Sequence, residues 1–200
     1  MECAEDVVSD QGLEGELKYK VVGGYRRGKK KNKDVDLLIT ISNEERNNLE
    51  YLTLGRELHD KLEAEGLVFK KLKMSRRRFD DDDELKPNPK HPVSHREKFD
   101  LQMILLHDGK KRRVDIFVVH PDSWPWALLG YTGSMMFERE LRLYGKKCCE
   151  GKEIFISQKE GWVKNKSTNA NHWETVEVSS EEDIFELLEL DYLKPSDRNL

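Results

Sequence analysis

The chain has 200 residues, 36% of them hydrophobic and 37% charged, and a net charge of −4. That length supports one domain, or two small lobes sharing a core, with no need of disulfides or metals merely to fold. No apolar run approaches the roughly 18–20 residues that cross a bilayer, the acidic start MECAEDVVSD has no secretory h-region, and Cys3, Cys148 and Cys149 are too few and too badly spaced for a disulfide framework, so an intracellular, reducing compartment is expected.

Residues 1–16 are polar. Residues 19–22 (YKVV) predict a short strand ending at Gly23-Gly24, and the β-branched run 35–41 (VDLLITI) predicts a buried one. Ser42-Asn43 before Glu44-Glu45 predicts a helix start, and Leu49, Leu52, Leu58 and Leu62 carry that helix to Gly66, a C-cap. Residues 67–73 (LVFKKLK) predict a strand. Residues 76–98 hold three prolines, a basic run, an acidic run, and His91 and His95; they predict a long exposed loop, and the prolines argue against a helix that would pair the two histidines around zinc. Strands are expected at 99–106 and 111–119, joined by a hairpin turn at Asp108-Gly109. Together these elements make a mixed sheet with one helix packed on it.

Past Pro121, Asp122 or Ser123 is expected to cap a short helix through Leu129. Gly130-Tyr131-Thr132-Gly133 separates it from a second helix, capped by Ser134 and running from Met135 to about Lys147. A hairpin at 153–164, a polar loop at 165–173 and a last helix opened by Ser179-Ser180-Glu181-Glu182, with capping-box character, complete the chain. The fold class is α+β: a sheet lobe over 1–120 and a small α+β lobe over 121–200. Trp124 and Trp126 are expected in core packing rather than base stacking.

Charge is segregated. Basic runs stand at 26–33 (RRGKKKNK), 70–78 (KKLKMSRRR) and 110–113 (KKRR), against DDDDE at 80–84 and an acid-rich tail at 179–191. Basic clusters on an acidic chain suit a confined polyanion site, although solvated lysine-rich loops would give the same pattern. The second run also fits a nuclear localisation signal or a DNA-facing strand and loop.

The segment that carries chemistry is Gly23-Gly24-Tyr25-Arg26-Arg27-Gly28, followed by Asp34-Val35-Asp36. Paired glycines let a backbone approach phosphate closely, and an arginine just beyond can donate two hydrogen bonds to phosphate oxygens. On a strand, Asp34 and Asp36 share one face, where two carboxylates can clamp hard divalent cations. Asp115, inside the apolar run RRVDIFVV, is the candidate third carboxylate. Three such groups permit two metal ions about 3.5–4 Å apart and an in-line phosphoryl transfer. The plainer alternatives are a solvated strand end for Asp34 and Asp36, and an edge or hairpin-end charge for Asp115.

GGYRRGKKKNKDVDLLI resembles the nucleotidyltransferase signature of the family X DNA polymerases. RRVDIFVV resembles that family's third-carboxylate strand, GYTGSMMFERELRLY its nucleotide-pocket helix, and SSEEDIFELLELDYLKPSDRN its C-terminal segment. The likeness spans about residues 19–199 and is strongest to the subfamily of polymerase mu and terminal deoxynucleotidyltransferase. It implies a nucleotidyltransferase palm followed by a thumb lobe, adding nucleotides to a DNA 3′ end in gap filling or end joining with release of pyrophosphate. By the same resemblance, Asp34 and Asp36 would bind both of two Mg²⁺ ions, for which Mn²⁺ can substitute, and Asp115 the catalytic one. Gly23, Gly24 and Arg27 would hold the triphosphate. Arg113 would contact the primer-end phosphate. Gly130, Tyr131, Thr132 and Gly133 would line the sugar and base, and Arg139 and Arg142 the nascent pair or template, with Glu138 able to pair with either arginine. Partners would be a primer terminus or gapped DNA, nucleoside triphosphates and end-joining proteins, with no membrane, in a nucleus if the source has one.

Where family members that reject ribonucleotides carry a bulky aromatic, this chain has Gly130, so weak sugar discrimination is expected. The 76–98 loop stands where the subfamily has a loop supporting synthesis across poorly paired ends; a plain insertion is the alternative. Asn32 replaces a residue that is usually small, often glycine. The 22 residues before Gly23 are too few for the lyase and helix-hairpin-helix elements of larger members, so those functions are expected to be missing. Two other readings remain: a truncated DNA-binding module, and a nucleotidyltransferase of the same superfamily acting on a non-DNA acceptor.

Overall fold

The computed structural model describes residues 5–7, 16–42, 50–77, 96, 98–147, 151–166 and 172–200. The helix start at Ser42-Asn43, most of the 76–98 loop with both its histidines, and all three cysteines fall wholly or partly outside those residues.

A five-stranded mixed sheet forms the first half. Its strands are β1 (Glu16–Val21), β2 (Asp34–Ser42), β3 (Val68–Arg77), β4 (Lys98–His107) and β5 (Lys110–Val119), in the order β1-β2-β5-β4-β3. Only β2 and β5 run parallel; the other pairs are antiparallel. β1 begins three residues before the expected start because Leu17 already pairs with Ile41. β3 outlasts its expected end at 73, since Ser75, Arg76 and Arg77 pair with Asp100, Phe99 and Lys98. The first residues of the expected loop therefore belong to the sheet. The β4–β5 hairpin turns on Asp108 (φ 50°) and Gly109 (φ 69°), two consecutive left-handed residues that match the twist of the strands they join.

A four-residue helix, α1 (Gly23–Arg26), lies between β1 and β2, and α2 (Glu50–Ala64) covers one sheet face. Leu52, Leu54, Leu58 and Leu62 pack there on Ile39, Phe99, Leu101, Ile116 and Val118. Gly55 lets the helix lie close: a Cβ there would stand 2.4 Å from the Phe99 ring. At the helix end, Gly66 N–H bonds to Glu63 O and Leu67 N–H to Leu62 O, with Gly66 at φ 70°, which is a Schellman cap at the expected glycine.

A 3₁₀ turn (Pro121–Ser123) leads to α3 (Trp124–Thr132) and α4 (Met135–Lys147). The expected Asp122 or Ser123 cap is not made; the His120 ring accepts from the Asp122 N–H instead. α3 also runs through Gly130, Tyr131 and Thr132 and ends at Gly133 (φ 62°), so the segment expected between the helices is mostly the last turn of the first. Strands β6 (Lys152–Ile156), β7 (Gly161–Asn165) and β8 (Glu174–Val176) form a second sheet, whose short third strand lacked a sequence signal. The last helix, α5 (Glu181–Leu187), carries the expected capping box, with Asp183 as the partner of Ser180.

Trp126, Leu129, Phe137, Leu141, Ile154, Ile184 and Phe185 make the second core. Between the halves, Val22, Leu38, Val119, Trp124 and Ala127 bury α3 against the sheet face opposite α2. Both tryptophans are thus core residues, as expected.

Candidate active site

Strand alternation places Asp34, Asp36 and Leu38 on the face opposite α2. Asp36 is the parallel register partner of Asp115, and Asp34 that of Arg113. Asp115 is therefore neither an edge residue nor a hairpin end: β5 is central, between β2 and β4, and Asp115 is 5% exposed. The three carboxylates converge on one face, as expected.

Gly23 has a role the sequence did not reveal. At φ 60° it occupies the left-handed region, and a Cβ there would lie 2.0 Å from Asp36 Oδ2. It makes room for the carboxylate itself, and the backbone is tied in by Val22 N–H to Asp36 O at 2.8 Å. Gly24 similarly admits Asn32, whose Oδ1 would be 2.3 Å from a Cβ at 24. Asn32 does not adopt left-handed backbone; its amide donates to Lys29 O at 3.1 Å and secures the basic loop.

A cleft of about 540 Å³ opens here, lined by Gly23, Gly24, Arg27, Asp34, Asp36 and the Lys29–Lys33 loop on one side, and by Gly130–Gly133, Glu138, Arg142 and Gln158 on the other. Ten of the thirteen expected site residues lie on this lining. Asp115 and Arg113 stand beside Asp36 and Asp34 in the sheet, and Arg139 is exposed on α4, outside the lining.

Several expected contact groups are engaged within the protein. Arg113 donates Nε to Asp115 Oδ1 at 2.9 Å and Nη2 to Oδ2 at 2.8 Å. The Arg27 guanidinium bonds to Thr132 O and, through Nε, to Asn199 Oδ1 at 3.0 Å; burial lowers its pKa while Asp36 raises it. The Thr132 side chain is wholly buried, accepting from Arg26 Nη1 at 2.7 Å and donating to Leu128 O, so it shapes the wall from behind. Tyr131 stacks on Phe117 at 3.9 Å and accepts from Lys98 Nζ at 2.7 Å. Glu138 pairs with Arg142 at 2.9 Å, one turn along α4, and burial pushes its pKa up. The loop lysines belong to the basic run 26–33 that suits a polyanion site, whereas Gln158 carries no such signal. Gln158 is invisible to local pattern because its Cγ lies 2.7 Å from the Cβ position of Gly130, a contact between segments distant in sequence.

Burial, with the like charges of Asp34 and Asp115, pushes the Asp36 pKa up to about 6, against the smaller pull of Arg113 and Arg27. Three hard oxygen donors whose repulsion Arg113 and Arg27 offset only in part suit a divalent cation such as Mg²⁺, so the donor set fits one. A second acidic group, His59, Asp60 and Glu63 on α2, brings donor atoms within 4.8 Å of one another, but α2 covers the opposite sheet face. Because the folded pKa of Asp36 exceeds its unfolded value, its contribution to stability is complete below about pH 4 and is lost as pH rises towards 6. Thermal unfolding in EDTA should show Tm falling over that window. Mg²⁺ should restore it at pH 7.5, and Asp36→Asn should flatten the profile.

A mixed sheet with paired aspartates beside a glycine turn, facing a second lobe across a basic cleft, is the architecture of a nucleotidyltransferase palm and thumb. Residues 2–121 match the family model described as DNA polymerase beta palm, and residues 127–199 match DNA polymerase beta thumb. The chain belongs to the polymerase beta-like DNA polymerases, family X. It is 31% identical over 195 residues to the DNA nucleotidylexotransferase of Xenopus laevis, covering 90% of this chain and 36% of that protein. It is 33% identical over 192 residues to the DNA nucleotidylexotransferase of Eulemur macaco, covering 90% and 35%. It is 29% identical over 197 residues to the human DNA-directed DNA/RNA polymerase mu, covering 90% and 36%. The chain spans about a third of the length of these relatives. Among the described residues, no helix is long and apolar enough to cross a membrane.

Proposed function

We propose that the chain is a Mg²⁺-dependent nucleotidyltransferase that adds nucleotides to a DNA 3′ end, in gap filling or end joining, in the nucleus of its source. The observation that carries this reading is Asp36 and Asp115 in direct parallel register, with Asp34 on the same face, where Asp34 and Asp36 line a cleft that lysines share. Bound Mg²⁺ would neutralise the triphosphate and lower the pKa of the attacking hydroxyl. Asp34, Asp36 and Asp115 would hold it. The lysines at 29, 31 and 33 attract the triphosphate and stabilise the departing pyrophosphate, with Arg27 at the wall they share. Tyr131, fixed by Phe117 and Lys98, orients the sugar and base, and Arg142 and Arg139 face the nascent pair. Arg113 exchanges Asp115 for the primer-end phosphate. Residues 1–120 are the palm and 121–200 the thumb. The glycine at 130 leaves the sugar 2′-position unopposed by an aromatic, with the flexible Gln158 side chain packed against it instead, and weak sugar discrimination follows from the missing aromatic.

Primer extension with Mg²⁺ tests the proposal on a gapped duplex and on a single-stranded primer. Extension of the gapped substrate alone marks templated repair, and extension of both marks terminal transfer. DNA binding that weakens steeply with salt, with no extension of either substrate, would make this a non-catalytic binding module.

A further inference from the structure

The third carboxylate is held by two donors, and only one of them is expected to stay when the site is loaded. Gln102 lies on β4 directly opposite Asp115 in antiparallel register, on the same sheet face, and donates Nε2 to Asp115 Oδ2 at 3.3 Å. The amide nitrogen faces the carboxylate because the amide oxygen would be repelled by it. Arg113 grips both oxygens of the same group, but its side chain is 45% exposed and its charge opposes any cation brought to Asp115. Gln102 is half-buried, neutral and fixed by the strand pairing. It can restrain the carboxylate without cancelling the charge that attracts a metal. Packing does not explain an amide at this position, since its strand neighbours Leu101 and Met103 point into the apolar core on the other face.

Resting on the nucleotidyltransferase reading, we infer that Gln102 is a positioning residue for the metal-binding carboxylate Asp115. It keeps Oδ2 turned towards β4 when Arg113 lets go, so that Oδ1 is the oxygen left to a divalent cation. At 3.3 Å this bond is long, so its worth is that of an ordinary intramolecular hydrogen bond, which corresponds to an effect of about three- to tenfold on cation affinity.

The test measures Mn²⁺ binding by electron paramagnetic resonance, using the full chain with a non-hydrolysable nucleotide analogue and a 3′-deoxy primer. It compares the wild type with Gln102→Met, which keeps shape without a donor, and Gln102→Asn, whose amide is too short to reach. Met103→Leu, a core change on the same strand, controls for stability. Both Gln102 variants should bind Mn²⁺ three- to tenfold more weakly, with Met103→Leu unchanged. In primer extension the Mg²⁺ half-saturation should rise by the same factor while the KM for nucleotide stays constant. If Mn²⁺ binds both Gln102 variants as it binds the wild type, the inference falls, even where the wild type extends primers. If the variants lose affinity while no protein extends a primer, Gln102 keeps its role at Asp115 and the polymerase reading falls instead.

Discussion

Replacing Asp115 by alanine should reduce primer extension by at least about 10³-fold while leaving the fold intact. Stabilising charge around a transferring phosphoryl group is worth several kcal/mol, and each 1.36 kcal/mol is a factor of ten in rate. The fold survives because the Arg113 that loses its partner is 45% exposed and can return to water. Asp115 is also one of the charges that raise the pKa of Asp36, so its removal relieves a repulsion. The variant should therefore unfold no earlier than the wild type in EDTA, and its Tm should respond less to Mg²⁺. An alanine variant that retains a tenth of wild-type extension would exclude two-metal chemistry at this site. One that loses activity and unfolds early would show Asp115 to be structural.

Glu181→Gln should be the most destabilising single change at the contact between the lobes. Arg198 is fully buried and surrounded by Phe137, Phe185 and Tyr192, with its guanidinium 5.3–5.5 Å from each ring centre. It donates Nη1 to Glu181 Oε1 at 2.8 Å and Nε to Leu193 O. Glu181, 3% exposed, also takes two bonds from Arg26, at 3.0 and 2.5 Å. One carboxylate thus serves two arginines, one beside the glycine turn and one near the end of the described chain. Neutralising it removes the carboxylate bonded to the buried guanidinium and leaves nearby Glu138, which is bonded to Arg142 instead, at a cost of about 3–5 kcal/mol. In a chain of this size that corresponds to a fall in Tm of roughly 6–20 °C. Calorimetry of Glu181→Gln would measure it, and a fall below about 2 °C would mean that Arg198 is compensated by other groups. Because Arg26 adjoins Arg27 and bonds Thr132, the same change should raise the KM for nucleotide.

The carboxylate arrangement was legible in the sequence because it rests on two local regularities: the period of two in a strand, and an aspartate inside an apolar run. The hairpin at Asp108-Gly109 and the cap at Gly66 were legible for the same reason, since each is a short-range backbone requirement. What the sequence concealed is contact between distant segments. Gly23 and Gly24 read as room for phosphate, and the structure shows that their missing side chains also make room for Asp36 and Asn32. Gly130 read as a helix break, yet the helix continues through it; the glycine answers to Gln158, and the terminating residue is Gly133. Arg27 read as a phosphate ligand, and the structure ties it to Asn199 and Thr132. The strand extension to Arg77 was hidden because Ser75, Arg76 and Arg77 carry no apolar alternation, and it is the pairing with β4 that holds them extended.

The tether between the glycine turn and the thumb bears on how the molecule comes into being. Arg26 meets Glu181 across 155 positions of chain, and Arg27 meets Asn199 across 172. Closing such long loops is slow compared with zipping a two-residue hairpin such as β4–β5. During synthesis, the acid-bearing sheet can assemble while the segment that closes the cleft is still unmade. Closure of the cleft is then the last feature the nascent chain acquires. Under gentle denaturation it should also be the first one lost, before the sheet itself unravels.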